Sequence, residues 1–412
     1  MISYQESLNV LMDIANKQSI DTEIVELENS VGRILSEAVI SAEASPPFDN
    51  SAMDGFALQE SIFINWRAGV EVTVSVGDCL AAGDRVGDKQ NNYLAVEIMT
   101  GAALPSDNFF AVVKIEDVKV VSDGDQKKII LYSKPGYGEN IRRAGEDFKE
   151  GQILLEAGTQ IQHQHILALA TLGISQLRVV RKIKIAVAST GKELVDCKTK
   201  KLQPGQIRNS TGLYLESYLR DHFFSVLNMG IVADQIENYQ NTLRQAFDEG
   251  ADLFISTGAV SMGIYDFVRP ALEQLGADIH FHKCAIRPGK PILFASLEYK
   301  GRARFIFGVP GNPVSTAVGL RFFVLPFLRF LQRQQSLAPV FATLDHEVKK
   351  PTGLKCFFKA ELQLGSGGNK VFSLPGQASF MVSALLKSNA WVLLPEQGGK
   401  IEKGSKVEVC YL

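Results

Sequence analysis

The chain has 412 residues, 46% hydrophobic and 21% charged, a balance that gives ample cores and suggests roughly two to four domains. With 43 Lys and Arg against 45 Asp and Glu, the formal net charge is −2. No global field therefore draws the chain to nucleic acid or an anionic membrane, and any anion site has to be local.

Residues 1–18 read as an amphipathic helix, without the basic region and apolar core of a signal peptide. An extended stretch at 23–27 and a short apolar segment at 32–40 follow. Residues 46–57, PPFDNSAMDGFA, form a turn-rich loop with two Asp. From about 62 to 135 the runs VEVTVSV, YLAVEIM, FFAVVKI and KKIILYS read as strands between GD, PSDN and SDGD turns. A helix is expected over 161–172, after the Gly-rich GYGENIRRAGEDFKEGQ.

From Lys182 the texture changes. IKIAVAST, FSVLNMGIV, ADLFIST, ADIHFHKCAI, PILFASL and RARFIFGVPG read as strands, interleaved with helices near 212–221, 238–248, 267–275 and 313–334. That alternation predicts a parallel sheet with helices on its faces. The apolar run 314–331 is broken by Thr316, Arg321, Pro326 and Arg329, so it reads as a buried helix rather than a membrane span. After 335 the chain is strand-rich again. The five cysteines, Cys79, Cys197, Cys284, Cys356 and Cys410, form no CxxC pair. At this chain length they exclude a disulfide scaffold and fit a reducing cytoplasm.

Ligands of open parallel sheets bind beyond the carboxyl ends of the strands. Ser189-Thr190-Gly191, Ser256-Thr257-Gly258, Arg287-Pro288-Gly289-Lys290-Pro291 and Gly308-Val309-Pro310-Gly311-Asn312-Pro313 stand there. Asn312 can cap the following helix and Pro313 fits its first position. The amides of Val314, Ser315 and Thr316 would then face an anion, with Arg287 and Lys290 supplying charge. The same pattern also describes a well-capped helix with no ligand. Gly258 to Gly263 has phosphate-loop spacing, but Ile264 and Tyr265 stand where Lys-Ser/Thr belongs. A phosphate-bearing, pterin- or nucleotide-like ligand fits these loops.

Asp49, Asp54, Glu146, Asp147, Glu193 and Asp266 supply hard oxygen donors suited to Mg²⁺, although Asp in turns commonly caps its own backbone. His280 and His282 share a strand face without a third ligand in view, so a zinc site is not expected.

PPFDNSAMDGFA, GEDFKEGQ, STGKEL, GQIRNSTG, STGAVSMGIYDF, RPGKP and GVPGNPVS occur in this order. As a set they resemble the MoeA and gephyrin E-domain family of molybdopterin molybdenumtransferases, over essentially the whole chain. The resemblance implies an α/β multidomain protein. It comprises a linking domain (1–45 and 136–180), an inserted β domain (46–135), a MogA-like α/β domain (181–334) and a C-terminal β domain (335–412). It also implies a homodimer with its site shared between the α/β domain of one subunit and the inserted domain of the other. The expected substrates are adenylylated molybdopterin and molybdate, with Mg²⁺ as cofactor and AMP as product. A MogA-type adenylyltransferase and molybdoenzyme-maturation proteins are implied as partners, but no nucleic acid or membrane.

Carried over by motif, Asp54, Asp147, Glu193 and Asp266 resemble catalytic carboxylates, with Asp266 and Glu193 near the metal. Ser189, Thr190, Gly191, Ser256, Gly258, Ser261, Arg287, Lys290, Pro291, Gly311, Asn312, Pro313 and Ser315 resemble substrate contacts, and Lys359 and Ser379 match oxyanion-contacting positions loosely. The chain departs from the family pattern at Lys192, where Asp or Glu is usual, at Ala259, where Gly is usual, at Ile264, and at Lys359, where Arg is usual. Those departures leave open a catalytically impaired paralogue acting as a pterin-binding or scaffold protein. A molybdopterin adenylyltransferase is a further alternative.

Overall fold

The computed structural model describes residues 1–87, 92–124, 126–260, 267–334 and 338–412. Near the N-terminus, Gly55–Gln59 lies inside a six-stranded sheet. Its order is Phe109–Lys114, Gly55–Gln59, Ala95–Ile98, Val72–Leu80, Gln126–Leu131, Lys119–Asp123. A Cβ on Gly55 would lie 2.0 Å from the Val113 carbonyl oxygen, so glycine permits the close strand approach there.

The segments on either side of this sheet meet. Thr22–Glu26 pairs antiparallel with Gln176–Val180, and Val39–Ile40 with Ile153–Leu155. They close over Leu27, Leu35, Ile161, Leu169, Leu177 and Val179. The first helix, Tyr4–Asn16, stands apart from them. It starts with a Ser3/Glu6 capping box and buries Leu11 and Ala15 in the core of the α/β region.

The α/β sheet runs in the order Ser225–Val232, Lys184–Thr190, Leu253–Thr257, Arg302–Val309, Leu293–Tyr299, Asp278–His282. The first four strands are mutually parallel. The expected all-parallel sheet is corrected at Leu293–Tyr299, which is antiparallel to both neighbours. The cause is the two-residue turn Lys300-Gly301, with φ of 51° and 73°, a pair of left-handed residues that closes a tight hairpin. One consequence bears on function. Leu293 pairs with Gly308, so the 283–292 connection with its RPGKP turn lies at the carboxyl edge of the parallel strands.

Helices Ser210–Asp221, Ile236–Asp248, Val268–Gln274 and the run 313–331 cover the sheet, with a core on each face. The 313–331 run is Pro313–Gly319 and Leu325–Leu331 joined by a π-helical Leu320–Val324. Pro326 cannot donate to the Phe322 carbonyl, and the Tyr4 hydroxyl reaches that oxygen at 3.4 Å. Among the described residues this run is the one helix long and apolar enough to cross a membrane, with a mean hydropathy of 1.6. It is 78% buried in the protein, as expected of a core helix.

The C-terminal strands close into a barrel. Lys355–Gln363 pairs with both Lys370–Ser373 and Ala390–Leu394, and Val340–Leu344 and Lys406–Tyr411 complete the ring. Closure removes exposed edges. Phe358, Ala360, Val392 and Val409 fill the inside. Alternate residues Phe357 and Trp391 face outward onto the α/β core, where Phe357 stacks on Phe322 at 4.2 Å. Ile286–Arg287 pairs in parallel with Lys355 and Cys356, stitching the two regions together. All five cysteines are unpaired thiols.

Candidate active site

Three glycine loops converge at the carboxyl edge of the sheet. Gly258 has φ +91°, and a Cβ there would lie 2.5 Å from the Thr190 carbonyl oxygen. A Cβ on Gly311 would lie 3.4 Å from the Gly258 Cα. Backbone contact this close requires glycine and presses the STG, STGAV and GNP loops together. Ala259 stands next to them with φ 50°, a left-handed conformation that costs a non-glycine residue about 1–2 kcal/mol.

The hydroxyls of Ser189, Thr190 and Ser256 point inward, which leaves their backbone groups to face a ligand. Their side chains are 1%, 4% and 0% exposed. Thr190 Oγ1 donates to the Thr257 carbonyl at 3.0 Å, and Ser256 Oγ shares a hydrogen bond with the Tyr239 hydroxyl at 3.1 Å. Ser189 Oγ donates to Asn209 Oδ1 at 3.2 Å, which also accepts from the Gly212 amide in capping the Ser210–Asp221 helix. These groups fix the shape of the edge.

The helix start at 313 is likewise more closed than expected. The Asn312 side chain makes no capping bond, and the Val314 amide donates to the Ser379 carbonyl at 3.0 Å. Thr316 turns back on itself, with its amide on the Asn312 carbonyl and its hydroxyl on the Pro310 carbonyl. Ser315 is 3% exposed. A carbonyl on the first free amide opposes an anion at that spot, so the expected row of open amides is corrected.

Ser379 therefore acts on the helix through its backbone. Lys359 is fully buried, with Nζ donating to the carbonyls of Met381 at 2.9 Å and Ala378 at 3.5 Å. Burial pushes its ammonium pKa down. It positions the 378–381 turn.

The charge on this edge comes from the RPGKP loop. Arg287 and Lys290 are exposed, and neither forms an ion pair among the described residues. The Cys284 amide donates to the Lys290 carbonyl, closing the loop. A Cβ on Gly289 would lie 3.6 Å from the Ser315 carbonyl oxygen, so the loop rests on the helix start, with Pro291 half-buried behind it.

Two carboxylates lie on the same carboxyl edge, toward the opposite end of the strand order. Glu193 folds back over the first loop, where a Cβ on Gly191 would meet its Oε1 at 2.6 Å. Asp234 follows the Ser225–Val232 strand, and its Oδ2 accepts from the Lys192 amide at 3.0 Å. Its Oδ1 is closed to solvent and has no hydrogen-bond partner among the described residues, a costly state for a carboxylate oxygen. Sequence reasoning missed Asp234. The signal available was an acid two residues past a strand end, in the sequence VAD.

Asp54 and Asp147 lie elsewhere, on adjoining loops tied by Ser51–Ile141 pairing and by the Asp147 amide on the Ser45 carbonyl. Asp54 accepts from the Thr100 amide and hydroxyl, both at 2.7 Å. Those bonds hold its carboxyl below the ordinary range. Thr100 was not singled out from sequence. Asp49 pairs with Arg143 and accepts from the Ala144 amide, a structural use. Among the described residues no hydrogen bond or ion pair joins Asp54 or Asp147 to the sheet edge. Ser261, Ile264 and Asp266 lie outside the described residues. His280 and His282 bond to Ser296 Oγ and the Val260 carbonyl, and no His, Cys, Asp or Glu cluster of metal-site size occurs among the described residues.

Glycine loops, unneutralised cations and an unsatisfied carboxylate at the strand ends define an α/β protein that handles a phosphate-bearing anion. Residues 2–173 match the MoeA N-terminal region (domain I and II), 186–330 a probable molybdopterin binding domain, and 342–412 the MoeA C-terminal region (domain IV). The chain belongs to the MoeA family, as its ordered motifs suggested.

It is 35% identical to a molybdopterin molybdenumtransferase of Synechococcus elongatus over 99% of both chains. It is 34% identical to one of Haemophilus influenzae, over 94% of this chain and 93% of the relative. A solved molybdopterin biosynthesis MoeA protein of Pyrococcus horikoshii superposes with a TM-score of 0.83 at 27% identity, covering all of both chains.

Proposed function

We propose that the protein is a molybdopterin molybdenumtransferase, inserting molybdate into adenylylated molybdopterin with release of AMP in molybdenum cofactor biosynthesis. The observation that carries this reading is one sheet edge that carries Arg287 and Lys290, without ion-pair partners among the described residues, and toward its other end the half-satisfied Asp234, on a chain that matches the family from end to end. Exposed guanidinium and ammonium groups suit molybdate and phosphate oxygens. The glycine loops let those oxygens approach the backbone.

The donor set also fits Mg²⁺. Glu193 and the unpaired oxygen of Asp234 are hard ligands, and one or two carboxylates plus substrate oxygens are the usual protein share of such a site. A magnesium ion held there supplies charge neutralisation and polarisation at the phosphoanhydride. Glu193 and Asp234 orient that link, while Arg287 and Lys290 hold negative charge that develops as AMP departs and the dithiolene sulfurs take the molybdenum.

Asp54 and Asp147 complete the site from a second copy of the chain, in a homodimer. Their separation from the edge within one chain supports that arrangement. The five unpaired thiols suit a cytoplasmic setting, where a MogA-type enzyme supplies the adenylylated substrate.

Purified protein given adenylylated molybdopterin, molybdate and Mg²⁺ should release AMP, and Asp54→Asn should lower that rate by about 100-fold or more. The adenylyltransferase reading predicts AMP incorporation instead, and the impaired-paralogue reading no release above a metal-free control. A parental rate in Asp54→Asn would remove this residue from the site.

A further inference from the structure

Away from that edge, a cavity of about 800 Å³ opens between the 1–45 and 136–180 segments and the back of the α/β region. Two backbone approaches pin its walls. A Cβ on Gly32 would come within 2.5 Å of the Phe223 ring, and one on Gly158 within 2.3 Å of the Arg333 carbonyl oxygen. Both glycines have φ +80°, so the walls are set by conformations that glycine tolerates best.

The charge inside is one-sided. Arg33, Lys182, Arg321 and Arg329 line the cavity, against a single carboxylate, Glu156. Arg33 is accounted for by Glu23 and the Val180 carbonyl. Among the described residues Arg321 has no such counter-ion. Its Nη2 donates to Cys410 Sγ at 2.9 Å and the Tyr411 carbonyl at 3.3 Å, and its Nε is closed to solvent without a partner among the described residues. Arg329 lies two turns along the same helical run, on the same wall. Burial, and then the positive charge of Arg321, push its guanidinium pKa down. Two like charges held together in a half-buried wall are stabilised by an anion between them.

We propose that this cavity is a second anion site, distinct from the sheet edge, that takes a phosphate-bearing small molecule. Arg321, Arg329 and Lys182 hold the phosphate, a chemistry suited to guanidinium pairs. The volume exceeds that of a lone oxyanion and falls in the range of small-molecule pockets. The 44%-exposed Phe223 at the wall offers a ring face to an organic portion.

The test is calorimetric titration of the full-length protein with inorganic pyrophosphate and, separately, with AMP. Two classes of site are expected in the parent. Arg321→Gln with Arg329→Gln should weaken one class by about tenfold or more, as the loss of charge-assisted hydrogen bonds does. Arg287→Gln should weaken the other class only. AMP release should be unchanged in the Arg321 and Arg329 variant when no second-site ligand is added.

Lys182→Gln, at an exposed position, provides a second probe should the arginine variant not fold. Arg321→Lys should fall between parent and Gln. Tighter binding of AMP than of pyrophosphate at this class identifies a nucleotide ligand, and the reverse identifies a simpler phosphate. Equal stoichiometry and affinity in the parent, the arginine variant and Lys182→Gln overturns the proposal.

Discussion

At the amino end of the α/β sheet, Asp252 is 7% exposed and both of its oxygens are fully engaged. Oδ1 accepts from Arg181 Nη2 and Arg304 Nη1, and Oδ2 from Arg181 Nη1 and the Lys184 amide. At the carboxyl end of the same sheet, Asp234 has one oxygen on the Lys192 amide and the other on no partner among the described residues. Arg287 and Lys290, toward the other end of the strand order on that edge, form no ion pair among the described residues. Both ends use carboxylates and arginines near strand termini. The first is a network in which both carboxylate oxygens are satisfied, although the Arg304 Nε has no partner among the described residues. The second leaves a carboxylate oxygen without a partner at the edge where ligands of such sheets bind, a position where a ligand or cation would supply one.

The contrast assigns stability to one end and turnover to the other. The largest effect is expected at Asp252. Asp252→Ala strands Arg304, itself 8% exposed, along with the bidentate Arg181. Breaking a buried ionic network in this way costs about 3–5 kcal/mol. Urea unfolding should show the loss in its midpoint, with AMP release per folded molecule unchanged. A wild-type midpoint would mean that the amino-end network adds no stability.

Asp234→Asn should do the reverse. Its unfolding free energy should stay within about 1 kcal/mol of the parent, since one oxygen already lacks a partner. Mg²⁺-dependent AMP release should fall by about 100-fold, as when a group at a metal site is removed. A variant that loses stability but keeps its rate would make the two ends equivalent and break the comparison.

Much of the architecture is legible in the chain because it follows local rules. Strand and helix periodicity marks the α/β region, and Asn209 and Pro313 stand where helices begin. The antiparallel strand was legible in principle from Lys300-Gly301, a two-residue left-handed turn, but six consecutive apolar strands read as parallel when that turn is passed over.

What sequence could not give is which partner each polar group finds. Lys359 resembles an anion contact until the barrel seals it against the Ala378 and Met381 carbonyls. The amide of Val314 looks open until a residue 65 positions away supplies a carbonyl. Asp234 gives no motif at all. It becomes informative only when packing closes water away from one of its oxygens and leaves it unpaired. Satisfaction of polar groups is a tertiary property, and the assignment of ligand-facing residues depends on it.

The smallest effect tests the N-terminal carboxylate against the sheet edge. Asp54 is exposed, and its depressed pKa comes first from the Thr100 amide and then from the Thr100 hydroxyl. A depressed folded-state pKa favours the ionised form. The associated stability is present above the unfolded-state value and is lost as pH falls through the folded one. Thr100→Val removes the hydroxyl bond and leaves the amide bond. The Asp54 pKa should then rise part of the way toward its ordinary value. If ionised Asp54 serves turnover, the acid limb of the AMP-release profile moves to higher pH while the rate above that limb stays near the parent's. The Asp234 site shares no bond with Thr100, so Asp234→Asn should lower the plateau without moving the limb. A limb that moves with Asp234→Asn and stays fixed in Thr100→Val would reverse the roles given to the two carboxylates.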